Sequence, residues 1–332
     1  MGLGPRQTQT AALPPGEFHC LLDELPLHLI PRRRIEFLRA RQKASAQPLF
    51  FNPRCLLLSN GNAPPELEPQ RHLLKNFDLR GMVAWVTDPA MNAVLPFWLG
   101  RRLEFFVSRI RPGGPVPDSV PEDARFLLET AGILTREDDA ERRIAEWNEV
   151  VKKSGQEFRE KGYAVLGNLI HPFHLAALRR YYRHAVRHKA FPLGDEQCPL
   201  RYGVHNESVA RFFHHQIARA LCGIVGEAIK PSYVYLASYM GGAELTKHKD
   251  REQCEFSVTF CLDFSPEPEL ATSWPIRLDT PEGTVTVYQA LGDGLAYRGT
   301  RLPHYRHELA EGNMSTSIFF HYVAADFSGR LE

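Results

Sequence analysis

Residues Tyr239–Asp263 read YMGGAELTKHKDREQCEFSVTFCLD, and the reading of this stretch decides the fold. Its second half alternates, with Glu255, Ser257, Thr259 and Cys261 on one side of an extended chain and Phe256, Val258, Phe260 and Leu262 on the other, which is the period of a β-strand. Just upstream, His248 and Asp250 stand at i and i+2. In an extended segment their side chains project to the same face, so an imidazole nitrogen and a carboxylate oxygen can reach one ion. A second imidazole would complete a two-histidine, one-carboxylate set with open positions, a donor set that suits ferrous iron. The chain has 14 histidines, so the pair is a weak signal by itself and its surroundings must carry it.

Working outward, the composition excludes several classes. The chain has 332 residues, 43% hydrophobic and 24% charged, the balance of a soluble globular protein with a sizeable core. Forty basic residues against 39 acidic leave a formal charge of +1, so no overall field draws the chain to nucleic acid or to an anionic membrane. Six scattered cysteines without a Cys-x-x-Cys pair argue against structural zinc and a disulfide framework, and for a reducing cytoplasm. The start, MGLGPRQTQTAALPPGE, has no apolar core of signal-peptide length, and Arg6 stands where a myristoylation signal needs Ser or Thr.

Residues 1–17, rich in Gly, Pro, Gln and Thr, are expected to be a disordered tail. Residues 18–135 are expected to form an N-terminal accessory or substrate-recognition region. Within it Pro31 opens a helix over RRRIEFLRARQK, whose Arg32, Arg33 and Arg34 read as a solvated basic end, with capture of a phosphate or acidic peptide as the alternative. Short apolar pieces from Pro48 to Leu103, cut by SNGNAPPELEP and TDPAMN, read as strands and loops, with Trp85, Phe97 and Trp98 in the core. Thr135 is the expected cap of a helix that runs to about Lys161 and stops at Gly162. YAVLGNLI then reads as a strand. HPFHLAALRRYYRHAVRHKA reads as a helix with Leu175, Leu178, Tyr182 and Ala185 inward and Arg179, Arg180, Arg183, Arg187 and His188 on a solvated face. A second helix precedes Pro231, and from Tyr233 the pattern is strand, turn, strand to the end. The fold class is therefore α+β, with a mixed N-terminal region, helices, and a β-rich C-terminal half that closes as a jelly-roll around a site at its open end.

TRLPHYRHELAEGNMSTSIFFHYV holds three candidates for the second imidazole, His304, His307 and His321. The features that frame them are Tyr239, nine positions before His248; HKD at His248–Asp250; GDG at Gly292–Gly294; PHYR at Pro303–Arg306; and the closing strand STSIFFHYV. On these residues the chain, over roughly residues 160–325, resembles the Fe(II)/2-oxoglutarate-dependent dioxygenases, particularly the prolyl-hydroxylase-like and phytanoyl-hydroxylase-like bacterial members.

The resemblance implies a double-stranded β-helix, the cupin-like jelly-roll, with its preceding helices over residues 136–332. It implies Fe(II), 2-oxoglutarate as co-substrate and O2, with His248, Asp250 and His304 as metal ligands. His307, three residues on, points to the other face of an extended strand, and His321 reads as a core or surface histidine. The implied reaction hydroxylates an unactivated C–H with release of succinate and CO2, and the presence of Asp250 favours hydroxylation over halogenation. In the family the distal carboxylate of 2-oxoglutarate is bound by a basic residue commonly ten or so positions past the distal histidine, where this chain has Gly312–Thr316 and no Lys or Arg. Arg306 shares a face with His304 and is the substitute, ahead of Arg298 and Arg251, while Tyr239, Ser315 and Ser317 add hydroxyl donors. The alternative for Arg306 is a surface ion pair with Glu308. The expected substrate is a peptide or protein residue or a small metabolite, and the size of the accessory region points to a large substrate or to a homodimer. From another class, a jelly-roll that binds metal or ligand without turnover stays open.

Overall fold

The structure is a computed structural model that describes residues 16–44 and 47–332; of the tail expected over residues 1–17, residues 1–15 lie outside the described residues. The N-terminal region runs α1 (Arg32–Ala44), β1 (Phe50–Phe51), β2 (Cys55–Leu58), β3 (Val83–Thr87), β4 (Val94–Trp98), α2 (Gly100–Val107), α3 (Glu122–Thr130) and β5 (Leu134–Thr135). Residues Phe18 to Ile30 form two 3-10 turns, Leu22–Glu24 and Leu27–Leu29, where the leucines are too closely punctuated by Pro26 and Pro31 for a longer helix. Strands β2, β3 and β4 make an antiparallel sheet that buries Trp85, Phe97 and Trp98.

Helix α4 (Asp139–Lys161) starts differently from the expected cap. Thr135 is held in β5 opposite Phe50, and Asp139 ties the helix start back instead, its Oδ2 accepting from the Arg136 N–H at 2.7 Å and from Thr135 Oγ1 at 3.3 Å. The helix ends at Gly162, whose φ of 77° favours glycine and lets its N–H reach the Phe158 carbonyl at 2.9 Å.

The rest of the chain runs β6 (Tyr163–Leu166), α5 (Pro172–Arg187), β7 (Arg201–His205), α6 (Ser208–Val225), β8 (Ile229–Met240), β9 (Leu245–His248), β10 (Phe256–Ser265), β11 (Ile276–Thr280), β12 (Gly283–Val287), β13 (Gly294–Arg298), β14 (His304–Arg306) and β15 (Met314–Ala324). From β8 onward the chain passes back and forth between two antiparallel sheets. One has the order β6-β13-β10-β15-β8-β7 and the other β12-β11-β14-β9. The fold is a double-stranded β-helix flanked by helices.

The two faces of the six-stranded sheet bury different things. Val234 and Leu236 of β8, Phe256, Val258 and Phe260 of β10, and Ile318 and Phe320 of β15 join a core shared with α5, α6 and the N-terminal region. The alternate residues Ala237 and Tyr239, Cys261 and Phe319 face the cleft between the sheets with Trp274 and Leu309. The N-terminal region seats on the outer side of the helices: Phe18 meets Tyr181 and Phe213 edge-on at 5.7 and 6.0 Å, and the Val94 N–H donates to Gln216 Oε1 at 2.8 Å. Each large apolar side chain so buried contributes roughly 1.5–3 kcal/mol. Among the described residues no helix is long and apolar enough to cross a membrane, and all six cysteines are free.

One face of α5 departs from expectation. Arg179, read as solvated, is fully buried and pairs with Asp263 at 2.9 Å and Glu267 at 2.7 Å, while Arg183 joins the same Asp263. The cause is a bulge in β10 between Cys261 and Asp263, where Leu262 has no partner on β15. The extra residue re-aims the chain so that Asp263 points at α5 instead of into the cleft.

Candidate metal centre

Strands β9 and β14 pair so that His248 stands directly opposite His304. Each ring is oriented by the same local device, an Nδ1–H donating to the carbonyl two residues upstream: Thr246 at 2.8 Å for His248 and Leu302 at 3.0 Å for His304. A carbonyl can only accept, so in both rings Nδ1 carries a proton and Nε2 is the nitrogen turned toward the other donors, with the Tyr297 hydroxyl 3.4 Å from Nε2 of His304. Burial lowers the pKa of His304, with Asp250 opposing and His248 adding to the shift, so its imidazole is neutral at pH 7. Asp250 lies just past β9, its N–H held by the Gly299 carbonyl at 3.0 Å. Its Oδ2 accepts from Ser257 Oγ at 2.8 Å, and its Oδ1 stands 3.8 Å from His248 Nε2 and 3.5 Å from His304 Nε2.

Ligand atoms bound at about 2.1 Å and at right angles stand about 3.0 Å apart, so these edges need to shorten by less than about 1 Å. The three donors fit one metal ion. Their pairwise separations are all within 4.8 Å, and Nε2 of each histidine is the ring nitrogen not committed to a backbone carbonyl.

Behind this triad, Ser257 Oγ also contacts His321 Nδ1 at 2.9 Å. Burial pushes the His321 pKa down to about 4, so His321 is a neutral core histidine beside the triad. His307 is exposed on the far side of β14.

Arg306 shares the inner face of β14 with His304 and is 4% exposed. Its Nη1 donates to the Trp274 carbonyl and its Nη2 to Gln289 Oε1 at 3.2 Å, the guanidinium lies 4.6 Å from the Trp274 ring centre, and Nε has no partner. The expected alternative, an ion pair with the exposed Glu308, does not form; among the described residues Arg306 has no carboxylate partner. Burial lowers its pKa, yet a guanidinium stays charged, so the cleft holds an unneutralised cation. Tyr239 is buried beside it, its hydroxyl oxygen accepting from Arg201 Nη1 at 3.2 Å, which leaves the hydroxyl proton free to donate. Ser315 pairs with Tyr239 across β15 and β8, and Ser317 lies opposite Ala237 and Cys261, so both serines face the cleft. Arg298 and Arg251 are turned elsewhere, over the Phe158 and Phe256 rings and over the Tyr233 ring.

Four residues that support the site were missed from sequence. Ser257 was placed on the correct strand face but given no partner. Gln289 and Trp274 come from loops that carry no motif. Gly299 carries no Cβ, and a Cβ there would fall on Asp250 Oδ2 and the Cys254 carbonyl and lie 2.8 Å from Ser257 Oγ. The tripeptide YRG before TRLPH is its one signal in the sequence.

No protein-family model matches the chain, and no curated protein matches it by sequence. Among solved structures the chain is similar to the non-heme alpha ketoglutarate dependent epimerase SnoN from nogalamycin biosynthesis, with 13% identity over 54% of this chain and 82% of that one and a TM-score of 0.45. It is similar to a Pseudomonas putida prolyl-4-hydroxylase, with 12% identity over 52% and 98% of the two chains and a TM-score of 0.42. A third is AviO1 from Streptomyces viridochromogenes Tue57, with 20% identity over 54% and 97% and a TM-score of 0.43.

Proposed function

We propose that the protein is an Fe(II)- and 2-oxoglutarate-dependent oxygenase that hydroxylates an unactivated C–H of a peptide or protein residue or of a small metabolite. One observation supports the reading: three convergent candidate ligand atoms share a cleft with a buried guanidinium that has no carboxylate partner among the described residues. A buried unpaired charge is costly, and an anionic co-substrate that seats against it relieves that cost on binding.

When bound, iron supplies the redox chemistry that couples decarboxylation of 2-oxoglutarate by O2 to oxidation of a substrate C–H, with succinate and CO2 released. The chain's own residues bind and orient. His248 and His304 present their Nε2 atoms, and Asp250 presents Oδ1 because Ser257 holds its other oxygen. Arg306 takes the distal carboxylate of 2-oxoglutarate in a planar fork, and Tyr239 donates its hydroxyl proton to the same group, with Ser315 and Ser317 lining that end of the cleft. The Trp274 ring covers the guanidinium and keeps water from it. Residues 18–135, more than the chemistry requires, serve substrate recognition in this reading.

Purified protein incubated with Fe(II), 2-oxoglutarate and O2 should release succinate in an iron-dependent way, and 2-oxoglutarate should bind by calorimetry. Loss of both signals would refute the oxygenase and leave a jelly-roll that binds without turnover.

A further inference from the structure

The N-terminal region, α4 and the entry to α5 border a second, partly open cavity of about 960 Å3, bounded also by α1, α3, β3, β4 and α6. Its size is that of sites that enclose a whole small molecule. None of the candidate metal ligands lines it, and its Phe213 and Ile217 wall belongs to the core on the helical side of the six-stranded sheet.

The wall is largely apolar, with Met91, Leu95, Phe97, Trp147, Phe213 and Ile217. Six arginines and five carboxylates line it; Arg54 and Glu137 are exposed, and among the partly buried charges Arg34 alone has no ion pair among the described residues. Arg41 meets Glu146 at 3.2 Å and Arg143 meets Asp88 at 3.0 Å. Arg34 meets no carboxylate among the described residues, and its Nε is buried without a hydrogen-bond partner. Burial, then Arg41 and Arg143, lower its pKa, which places three guanidinium groups close together over two carboxylates, with Glu146 opposing. Its helix neighbours Arg32 and Arg33 are exposed as the sequence led one to expect, while Arg34 turns inward. Of the seven buried side-chain nitrogen or oxygen atoms without a partner among the described residues, Arg34 Nε, Glu129 Oε2 and Arg142 Nε all belong to side chains lining this one cavity. Two of the three, Arg34 Nε and Arg142 Nε, are donors, and partnerless buried donors in one place point to a missing acceptor; Glu129 Oε2 is itself an acceptor.

We infer that this cavity is a second ligand site, one that takes an amphipathic carboxylate with its head on Arg34 and its apolar body along the Trp147 and Phe97 wall. One spare positive charge matches a monoanion; a phosphate dianion would exceed it. The planar fork of the arginine suits a carboxylate.

Dodecanoate is the probe, titrated into the full chain by calorimetry and followed by thermal melting. It binds one to one and raises the melting temperature, while dodecan-1-ol and dodecyltrimethylammonium do not. Arg34→Gln weakens dodecanoate binding at least about tenfold, the loss expected when a charge-assisted hydrogen bond is removed, with 2-oxoglutarate binding unchanged. Leu95→Trp, which fills part of the cavity, lowers dodecanoate affinity without touching Arg34. Equal binding by Arg34→Gln, equal binding of the alcohol, tighter binding of dodecyl phosphate than of dodecanoate, or no binding of dodecanoate to the wild-type chain each overturns the assignment.

Discussion

Replacing Arg306 by Met separates a scaffold role from a ligand role. In the folded chain the guanidinium is 4% exposed, has two neutral acceptors in the Trp274 carbonyl and Gln289 Oε1, and keeps Nε unpartnered. Burying an ion without a counter-ion costs several kcal/mol, which the Met variant recovers. The same variant leaves two buried acceptors unpaired, at roughly 1–3 kcal/mol each. These terms oppose and are of similar size, so the ligand-free variant should melt within a few degrees of the wild type. Binding behaves differently. A carboxylate held by the fork makes two charge-assisted hydrogen bonds worth roughly 1.5–3 kcal/mol each, so their loss is roughly 3–6 kcal/mol, or about two to four decades in Kd. The assay is calorimetric titration of 2-oxoglutarate into protein loaded with Mn(II), which prevents turnover, with melting curves alongside. A wild-type chain at a hundredfold excess over Kd gains about 2.7 kcal/mol of stability, and the variant at the same concentration gains almost none. A variant that melts far lower yet binds 2-oxoglutarate as the wild type does would place Arg306 in the scaffold and refute the reasoning.

His304→Ala should abolish iron retention after desalting, whereas His307→Ala should retain wild-type iron, because His307 points away from the triad; the reverse pattern in a metal assay would overturn the ligand choice. Gly299→Ala should lower Mn(II) affinity about 10- to 100-fold, since the new methyl group displaces the carboxylate that Ser257 orients, and unchanged affinity would show that Asp250 is not held there. Stability should also fall in mild acid. Burial pushes His171 down to about 4 and His174 down to about 3, against about 6.5 for an unfolded histidine. The unfolded chain therefore binds more protons across that window, so these two groups contribute stability that is full above about pH 6.5 and is lost progressively as the pH falls toward 4 and then 3. A melting temperature that stays flat from pH 7 to pH 4 would contradict this account.

The strand alternation of CEFSVTFCLD, the shared face of His248 and Asp250, and the separation of His304 from His307 were all legible in the chain, because a side-chain period of two depends on neighbours in sequence. The helix stop at Gly162 was legible for the same reason, a local backbone need. The support of the site was not. Ser257, Gly299 and His321 meet around Asp250 only because β10, β13 and β15 lie side by side in one register, and no local pattern encodes that register. Arg179 and Arg34 make the same point from the helices. Each sits in a run of arginines that reads as solvated, and each is drawn inward, Arg179 fully and Arg34 in part, because something distant approaches it, the bulge that swings Asp263 onto α5 in one case and the cavity wall beside α1 in the other. Sequence by itself determined which residues could act together along one strand or one helix face. Which charges end up paired, which end up buried and alone, and where a cavity is left between packed elements were decided by the tertiary structure, because burial and long-range pairing are properties of the packing and not of the local chain.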